Sequence, residues 1–152
     1  MSTPSPTSYT LERATDADRD WLFALYETTM RGIIDDAVGW NDHAQQIRFD
    51  ESYRVSQFEL VIQNEVRVGA LYRAAHQNRL HISLILILPP HQGRSLGTHI
   101  IENSQPHCLE QDSTLTLSTF KNNPALRLYQ RLGFEVTGED EHFFDMTWKP
   151  QL

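Results

Sequence analysis

The most apolar stretch of the chain is residues 82–88, where only Ser83 interrupts a run of mostly branched side chains. An apolar run of this length is typical of a strand that is buried on both faces in the middle of a sheet. Pro89 and Pro90 follow directly, and because proline has no amide hydrogen, strand pairing should stop there. We therefore expect a central strand whose neighbours are forced apart at the two prolines.

Alternation of apolar and polar residues predicts the other strands of this sheet. Gly69 is expected to mark a bulge or a close approach within one of them. In chain order, the predicted strands are residues 9–14, 58–63, 66–74, the central strand, 114–119, 134–137 and 142–148, with turns at 64–65 and 77–78. The second to fourth strands should form a meander. The fifth should run parallel to the fourth, because a helix connects them.

Apolar residues at helical spacing predict three helices before the fifth strand. Thr15 and Asp18 resemble a capping box, and the pattern that follows predicts a first helix ending near residues 31–32. A second helix is predicted at residues 42–51 and a third from about Leu96. Pro106 should kink the third helix or end it near residue 104, because proline removes a backbone donor and crowds the preceding turn.

A fourth helix is predicted after the fifth strand, with Asn123 as its N-cap and Pro124 in its first position. This arrangement leaves the side chain of Asn122 free. The apolar residues follow at positions i, i+3, i+4 and i+7 of one helix face, which Gly133 ends: Ala125, Leu128, Tyr129 and Leu132. Asn122 and Tyr129 are about two helical turns apart, so both should point to the same side.

These elements predict an α/β (α+β) fold with a mixed, mostly antiparallel central sheet of six to seven strands. Helices should cover both faces, and strands four and five should be parallel and splayed. A chain of 152 residues can bury a substantial core, so we expect a single domain at residues 9–150. The polar residues 1–8 before it are expected to form a flexible tail.

Composition limits the classes of partner and location. The single cysteine, Cys108, excludes an internal disulfide and a four-cysteine metal site, and the scattered histidines predict no metal site. The N-terminal sequence has no apolar core and no apolar run reaches membrane length, so we expect a cytoplasmic protein without a membrane partner. A net charge of −7 argues against nucleic acid and suits a cationic substrate. The sequence leaves the oligomeric state open, with a homodimer among the alternatives.

The loop after the two prolines has the properties of an anion site. Residues 92–97 contain two glycines and lead directly into the third predicted helix. Unpaired amides at a helix N-terminus and the positive end of the helix dipole favour a phosphate or pyrophosphate group. The loop has neither the G-x-x-x-x-G-K-[ST] spacing of a P-loop nor the G-x-G-x-x-G spacing of a dinucleotide-binding fold.

Two motifs resemble the GNAT superfamily of acetyl-CoA-dependent N-acetyltransferases. The segment Gln92-Gly93-Arg94-Ser95-Leu96-Gly97 resembles that family's Q/R-x-x-G-x-G/A loop. Downstream, Asn122-x-x-Ala125-x-x-Leu128-Tyr129 with Leu132-Gly133-Phe134 resembles its N-x-x-A-x-x-L-Y and GF segment. Ser95 departs from the pattern, because the family usually has a glycine there, and its side chain should narrow the space around a pyrophosphate.

The resemblance implies a GNAT-like fold and acetyl-CoA, or coenzyme A, as the cofactor. It implies that the loop and the start of its helix bind the pyrophosphate: Gln92, Gly93, Arg94, Ser95, Leu96, Gly97 and Thr98. The backbone of Leu86, Ile87 and Leu88 is expected to bind the pantetheine arm, together with Asn122. The hydroxyl of Tyr129 is expected to face the sulfur and to act as general acid, although a tyrosine at this spacing is also a common core residue.

The amine acceptor is harder to assign from the sequence. In the resembling family, the region between the first two strands lines the acceptor pocket, which makes Asp35, Asp36, Trp40 and Asp42 candidates for binding a cationic amine. The alternative is a solvated loop whose tryptophan covers the core.

The sequence also offers no convincing general base. The family often has a glutamate or another polar residue on the central strand, where this chain has Leu84. His81, Glu27 and His142 are candidates for a base or a substrate contact, and each is also compatible with a structural or solvated role.

Two functions follow from these motifs. The first is an N-acetyltransferase that moves an acetyl group to a primary amine of a small molecule or peptide, by direct attack in a ternary complex. The alternative is a catalytically degenerate module that binds or senses acyl-CoA, which Ser95, Pro106 and the missing glutamate favour. The retained Tyr129 favours the enzyme.

Overall fold

A computed structural model describes residues 8–93, 95–110 and 113–149. Residues 1–7, which form most of the predicted tail, lie outside the described residues, as do Arg94 and the last residue of the predicted domain. The strands are β1 (Thr10–Arg13), β2 (Phe58–Gln63), β3 (Val66–His76), β4 (Arg79–Ile87), β5 (Thr114–Phe120), β6 (Glu135–Glu139) and β7 (Phe143–Trp148). The helices are α1 (Arg19–Val38), α2 (Asp42–Ser52), α3 (Leu96–Glu110) and α4 (Leu126–Arg131). None of the described helices is long and apolar enough to cross a membrane.

The strands form one seven-stranded sheet in the order β1-β2-β3-β4-β5-β7-β6. The pair β4–β5 is parallel, and the other pairs are antiparallel. The predicted fold class, the meander of strands two to four and the closing hairpin are therefore confirmed. The apolar run lies on β4, the fourth of the seven strands in the sheet, as expected from its burial on both faces.

The splay between β4 and β5 begins earlier than predicted. Pairing of the two strands starts at Arg79 with Thr114 and ends at Ile82 with Leu117, well before Pro89. At the same point the pairing of β4 with β3 shifts by one residue, so that Ser83 has no partner of its own. Such a bulge bends a strand and increases its twist. The separation of the strands therefore coincides with the bulge at Ser83, and the proposal that the two prolines cause it is wrong.

The bulge also changes which face of the sheet the β4 side chains reach. Leu80 and Ile82 pack in the core cluster that contains α3 and α4, whereas Leu84 and Leu86 pack in the cluster that contains α1 and α2. An uninterrupted strand would send all four even-numbered side chains to one face. The two clusters lie on opposite faces of the sheet, which confirms that helices cover both.

Gly69 of β3 is a point of close approach to β4. A Cβ atom added at Gly69 would collide with the backbone carbonyl oxygen of Leu86. A side chain there would push the strands apart at the end of β4 that leads into the glycine loop, so the expectation of close packing is confirmed.

Helix α1 is longer than predicted. It continues through Gly32 to Val38 and ends at Gly39, whose φ is +87° and whose amide donates to the carbonyl oxygens of Ile34 and Asp35. The buried side chain of Ile34 anchors the extra turns, which offsets the roughly 1 kcal/mol cost of a glycine inside a helix. The sequence prediction ended α1 near Gly32. The helix instead ends at Gly39, the glycine with a positive φ.

Helix α3 also continues where the sequence predicted a stop. It runs through Pro106 to Glu110, so the expectation that it ends near residue 104 is wrong. Cys108 is fully buried in the core, and its carbonyl oxygen accepts a 2.9 Å hydrogen bond from the amide of Ser113. These contacts hold the turn after Pro106 in place despite the missing backbone donor.

Candidate active site

Two adjoining cavities open at the splayed end of β4 and β5. The larger, about 920 Å³, lies between α1, the glycine loop, the start of α3 and the entrance of α4. The smaller, about 450 Å³, lies between α1, α2 and the separated strands. Four residues line both cavities: Met30, Ile85, Asn123 and Tyr129. A molecule in one cavity can therefore meet a molecule in the other at Tyr129.

The glycine loop forms one wall of the larger cavity. It begins with a 3₁₀ turn over Pro89–His91, and the side-chain amide of Gln92 then donates a 2.8 Å hydrogen bond to the carbonyl oxygen of Ile87. Gly93 and Ser95 both have positive φ, +74° and +64°. Gly93 takes this geometry freely, whereas Ser95 adopts a conformation that costs an ordinary residue about 1–2 kcal/mol. Ser95 thus has a backbone conformation that is natural for glycine.

The first turn of α3 presents its amides to the same cavity. Within the residues that the structure describes, the first hydrogen bond of this helix runs from the His99 amide to the Ser95 carbonyl oxygen, and the amides of Leu96, Gly97 and Thr98 have no described intrahelical acceptor. A Cβ atom added at Gly97 would meet no protein atom within 4 Å. This open space beside unpaired donors fits an anionic group such as a pyrophosphate.

His91 adds a polar atom that sequence reasoning missed. Its ring nitrogen Nδ1 is buried and has no hydrogen-bond partner among the described residues, and the residue lines the larger cavity. A buried polar atom without a partner is costly unless a ligand or water completes its hydrogen bonding. The orphaned nitrogen is thus a further observation that fits a bound polar cofactor.

The end of β4 is arranged differently from the prediction. Ile87 lines the larger cavity and Leu86 lines the smaller one, whereas Leu88 lines neither. The amide of Leu88 donates a 2.9 Å hydrogen bond to the carbonyl oxygen of Val68, so it is not available to a pantetheine arm. The expectation for Leu88 is therefore corrected.

The entrance of α4 forms the opposite wall. Asn123 receives a 2.9 Å hydrogen bond from the Ala125 amide on its side-chain oxygen, as a cap does, although regular helix begins only at Leu126. The sequence predicted a free side chain at Asn122, and this prediction is wrong. Its amide donates a 3.0 Å hydrogen bond to the carbonyl oxygen of Ile33 on α1, and both residues line the larger cavity.

Tyr129 lies between the two cavities. Its side chain packs edge-on against Phe134, and the residue is 9% exposed. Burial raises the pKa of the Tyr129 hydroxyl to about 12, so the group stays protonated at neutral pH and remains a donor. Within the described part of the chain, no protein atom hydrogen-bonds to this hydroxyl. The sequence interpretation placed Asn122 and Tyr129 on one side of α4, and both line the larger cavity.

His81 and Ser83 are the polar residues that β4 presents to the smaller cavity, and His81 is the titratable one. Its Nδ1 lies 2.7 Å from Oγ1 of Thr116, and its Nε2 lies 3.4 Å from Oγ of Ser118. Ser118 in turn donates a 2.9 Å hydrogen bond to the exposed carboxylate of Asp145. Burial lowers the pKa of His81, and Arg79 lowers it further, while Asp145 acts in the opposite direction. The imidazole is therefore neutral at neutral pH.

The predicted acidic acceptor residues lie elsewhere. Arg31 pairs with Glu27 at 3.2 Å, lies 3.9 Å from Asp42, and stands 5.8 Å from the ring centre of Trp40. The Trp40 backbone amide donates to Asp35, and its indole donates to Asp42. Arg31 thus occupies the place that was expected for a cationic amine, and the N–H groups of Trp40 occupy the carboxylates of Asp35 and Asp42.

None of the residues in this surface cluster lines the smaller cavity, and Asp36 lines the larger one. The other proposed base, His142, lies next to Glu141 at 3.8 Å and lines neither cavity. Among the described residues, no group of three or more histidine, cysteine, aspartate or glutamate side chains could hold a metal ion.

Comparison with known proteins decides the family. A sequence profile described as "Acetyltransferase (GNAT) domain" matches residues 39–148, which include the glycine loop and Tyr129. The chain belongs to the GNAT acetyltransferase family. Acetyl-CoA is accordingly its cofactor, and acyl transfer is its class of reaction. No curated protein sequence matches this chain.

Several solved structures share the fold. An N-acetyltransferase from Thermoplasma acidophilum, solved with coenzyme A, aligns with a TM-score of 0.73 at 14% identity, over 94% of this chain and 99% of its own. Naa50 from Arabidopsis thaliana, in complex with the bisubstrate analogue CoA-Ac-MVNAL, aligns with 0.66 at 19% identity, over 94% and 99%. The ribosomal-protein-S18-alanine N-acetyltransferase from Escherichia coli aligns with 0.68 at 16% identity, over 95% and 96%. At these identities the likeness is one of fold.

Helix α2 supplies three residues of the smaller cavity that sequence reasoning did not consider, Gln45, Arg48 and Ser52. Gln45 and Arg48 are three residues apart on this helix and both line the cavity. Neither belongs to a motif of the family, and the short helix carries polar residues on several sides. Only the tertiary packing of α2, whose Phe49 contacts Tyr26 of α1 and Phe58 of β2, brings them to the cavity.

Proposed function

We propose that this GNAT protein transfers an acetyl group from acetyl-CoA to a primary amine of a small molecule or peptide, by direct attack in a ternary complex. The observation that carries the proposal is the position of Tyr129 between two adjoining cavities. Direct transfer requires both reactants to be bound at once with their reacting atoms close together. Two cavities with a common wall satisfy that requirement.

In this proposal the larger cavity binds the cofactor, which when bound supplies a thioester acetyl group and an anionic pyrophosphate. The amides of Leu96, Gly97 and Thr98 bind the pyrophosphate oxygens, and Gly93 and Ser95 shape the backbone around them. Ile87 and Asn122 line the path of the pantetheine arm. Arg94 belongs to the same loop by sequence.

Tyr129 donates its hydroxyl proton to the departing sulfur. The raised pKa of about 12 keeps the hydroxyl protonated before transfer, and the absence of a protein acceptor among the described residues leaves its hydrogen free to be donated.

His81 receives the proton that the amine loses. Its imidazole lines the acceptor cavity and is neutral at neutral pH. Because the Ser118 hydroxyl donates to Asp145, Nε2–H of His81 donates to Ser118, and the nitrogen that takes up a proton is Nδ1, beside the Thr116 hydroxyl. Ser118 connects His81 to the exposed Asp145, which gives the proton a path toward solvent. His81 thus replaces the glutamate that the family often has on this strand.

The alternative function is a module that binds acyl-CoA without turnover. It was favoured by Ser95, by Pro106 and by the missing glutamate. Ser95 keeps the backbone shape of a glycine, α3 continues past Pro106, and His81 faces the acceptor cavity. These observations support the enzyme over the sensor.

Release of free CoA from acetyl-CoA, measured across a panel of primary amines, tests the proposal. We expect release with the wild-type protein and at least a tenfold loss of CoA affinity in Gly97→Asp, because the new carboxylate would stand where the pyrophosphate binds. Gly32→Asp adds the same charge to the α1 wall of this cavity, so it should weaken CoA binding less than Gly97→Asp if the amides of α3 bind the pyrophosphate. CoA binding without release for any amine would favour the sensor, and equal CoA affinity in a folded Gly97→Asp protein would contradict the assignment of the loop.

A further inference from the structure

The charge of the smaller cavity is opposite to what the acidic chain suggests. The sequence contains 20 acidic and 13 basic residues. Among the described residues, however, no aspartate or glutamate lines this cavity, and Arg48 is its permanently charged residue. A cavity that selected a polycationic amine would be expected to carry carboxylates instead.

Arg48 is available to a ligand. The residue is exposed, and within the described part of the chain no carboxylate lies within 4 Å of its guanidinium. Burial raises the pKa of the neighbouring Tyr26, and the positive charge of Arg48 opposes that rise, so the guanidinium acts on the cavity wall. An unpaired arginine at a cavity is suited to bidentate binding of a carboxylate.

Gln45 is a second and independent sign of a ligand. The residue is 5% exposed and lines the cavity, and its Oε1 atom is buried with no hydrogen-bond partner among the described residues. Proteins seldom bury a polar atom without a partner, because its lost hydration is not replaced. An N–H donor from a bound molecule would complete this hydrogen bond, and an amine supplies such a donor.

The rest of the wall is largely apolar. Besides Gln45 and Arg48, helix α2 contributes Ser52 one turn further on, and the other walls carry Tyr26, Met30, Leu84 and Phe120. A volume of about 450 Å³ falls within the range for small-molecule sites. The cavity therefore offers a carbonyl oxygen for an amine, a guanidinium for an anion and an apolar surface for the body of the ligand.

We propose that the acceptor is a primary amine that also carries a carboxylate on an apolar body, as in an apolar α-amino acid, with Gln45 accepting from the amine and Arg48 binding the carboxylate. This inference rests on the proposed function, since it names the acceptor of the same site. Arg48 and Gln45 are specificity residues in it. Capture of a peptide N-terminus or of a polyamine is the competing outcome, because neither has a carboxylate next to its amine.

Binding is the direct test, because it does not require turnover. The wild-type protein is titrated with L-leucine, L-leucinamide and isopentylamine, both alone and saturated with CoA, and the series is repeated with L-phenylalanine, its amide and phenethylamine. All members of a series have the same apolar body and a primary amine. The amide lacks the negative charge of the acid, and the simple amine has no carboxyl group at all. We expect the free acids to bind at least tenfold more tightly than their amides.

Two arginine variants, one at the cavity and one outside it, test the role of the guanidinium. Arg48→Gln should weaken binding of L-leucine about tenfold or more and change binding of L-leucinamide by less than about threefold, because only the acid uses the guanidinium. Arg54→Gln is the matched control, since Arg54 is an exposed arginine just beyond α2 that lines neither cavity. It should leave both affinities unchanged.

Gln45→Leu distinguishes a binding role from a structural one. If Gln45 only packs, the variant should fold less well or bind normally. In our proposal, replacing a side chain whose buried carbonyl oxygen has no partner among the described residues with an apolar side chain of similar size raises the melting temperature and weakens binding of both L-leucine and L-leucinamide.

The outcomes separate the inference from the proposed function. No CoA binding or no acetyl transfer to any amine would contradict the proposed function, while the titrations without CoA still decide the ligand class. Equal affinity for acid and amide, or tighter binding of a peptide amine or a polyamine, would overturn the inference and leave the acetyltransferase proposal intact.

Discussion

The side-chain amide of Asn122 donates a 3.0 Å hydrogen bond to the carbonyl oxygen of Ile33 and thereby joins the entrance of α4 to α1. Both residues line the larger cavity, so this bond connects two of its walls. Its loss would therefore free these two walls of the proposed cofactor site to move relative to one another.

Asn122→Ala should therefore lower both stability and cofactor affinity. Loss of one exposed hydrogen bond costs about 0.5–1.5 kcal/mol, and the freed walls can then move apart. Thermal melts and CoA titrations measure the two effects. Asn103→Ala is the control, because Asn103 donates a comparable 2.7 Å bond to the Tyr9 hydroxyl and lines neither cavity. An Asn122 variant that loses stability but keeps the affinity of wild type would show that the bond only supports the fold.

The positive φ of Ser95 predicts that mutation to glycine makes the protein more stable. Its φ of +64° is unfavourable for any residue with a Cβ atom and is natural for glycine. Ser95→Gly should unfold with a free energy about 1 kcal/mol higher than that of Ser95→Ala, which keeps the Cβ atom and also lacks the hydroxyl. Denaturant titration compares the two variants. Because the loop backbone already has its binding shape, Ser95→Gly should bind CoA no more weakly than wild type; a less stable glycine variant would rule out strain at this position.

His81 predicts a dependence on pH. Because its pKa is lowered from the ordinary value of 6.5, the neutral base is present at neutral pH and is lost below that range. The acceptor kcat/KM should fall as pH decreases through this lowered pKa, and His81→Gln should lose at least tenfold at neutral pH together with this acidic limb.

Protonation of His81 should also affect the fold, with a sign that follows from the same shift. The unfolded chain takes up the proton at a higher pH than the folded one, so stability is lost as pH falls from 6.5 through the lowered pKa. His81→Gln should remove that part of the loss in thermal melts. A variant that changes the melts but not the pH dependence of kcat/KM would make His81 a structural residue.

The sheet was largely predictable from the sequence, because the turns and the alternation of side chains repeat along the chain. The bulge at Ser83 was not, since β4 is apolar on both faces and a shift of one residue leaves no mark in such a run. The end of α1 was missed for a different reason. Gly32 and Gly39 both fit the glycine rule for a helix end, and only the buried contact of Ile34 selects the second.

The candidate site was also predictable only in part from the sequence. The glycine loop and the face with Asn122 and Tyr129 are local motifs, so the sequence could assign them, and the structure brings them to one cavity. Gln45 and Arg48 lie on α2, far in sequence from His81, and they line one cavity with it only through tertiary packing, in which Phe49 of α2 contacts Tyr26 of α1 and Phe58 of β2. Acidic residues near Trp40 seemed suitable for a cationic amine, but Arg31 already occupies that position.

Tyr129 provides the most direct test of the account. Its hydroxyl has no partner among the described residues, so Tyr129→Phe removes no protein hydrogen bond and should keep the stability and the CoA affinity of wild type. Tyr72→Phe is the control, because Tyr72 accepts a hydrogen bond from the Arg54 amide and lines neither cavity.

The deciding measurement is single-turnover acetyl transfer by the wild type and the two variants, with thermal melts to verify folding. If Tyr129 delivers the proton to the departing sulfur, Tyr129→Phe should transfer acetyl about 10²–10⁴-fold more slowly, and Tyr72→Phe should match wild type. Transfer at the wild-type rate by an equally stable Tyr129→Phe protein would contradict the account and leave Tyr129 as a core residue.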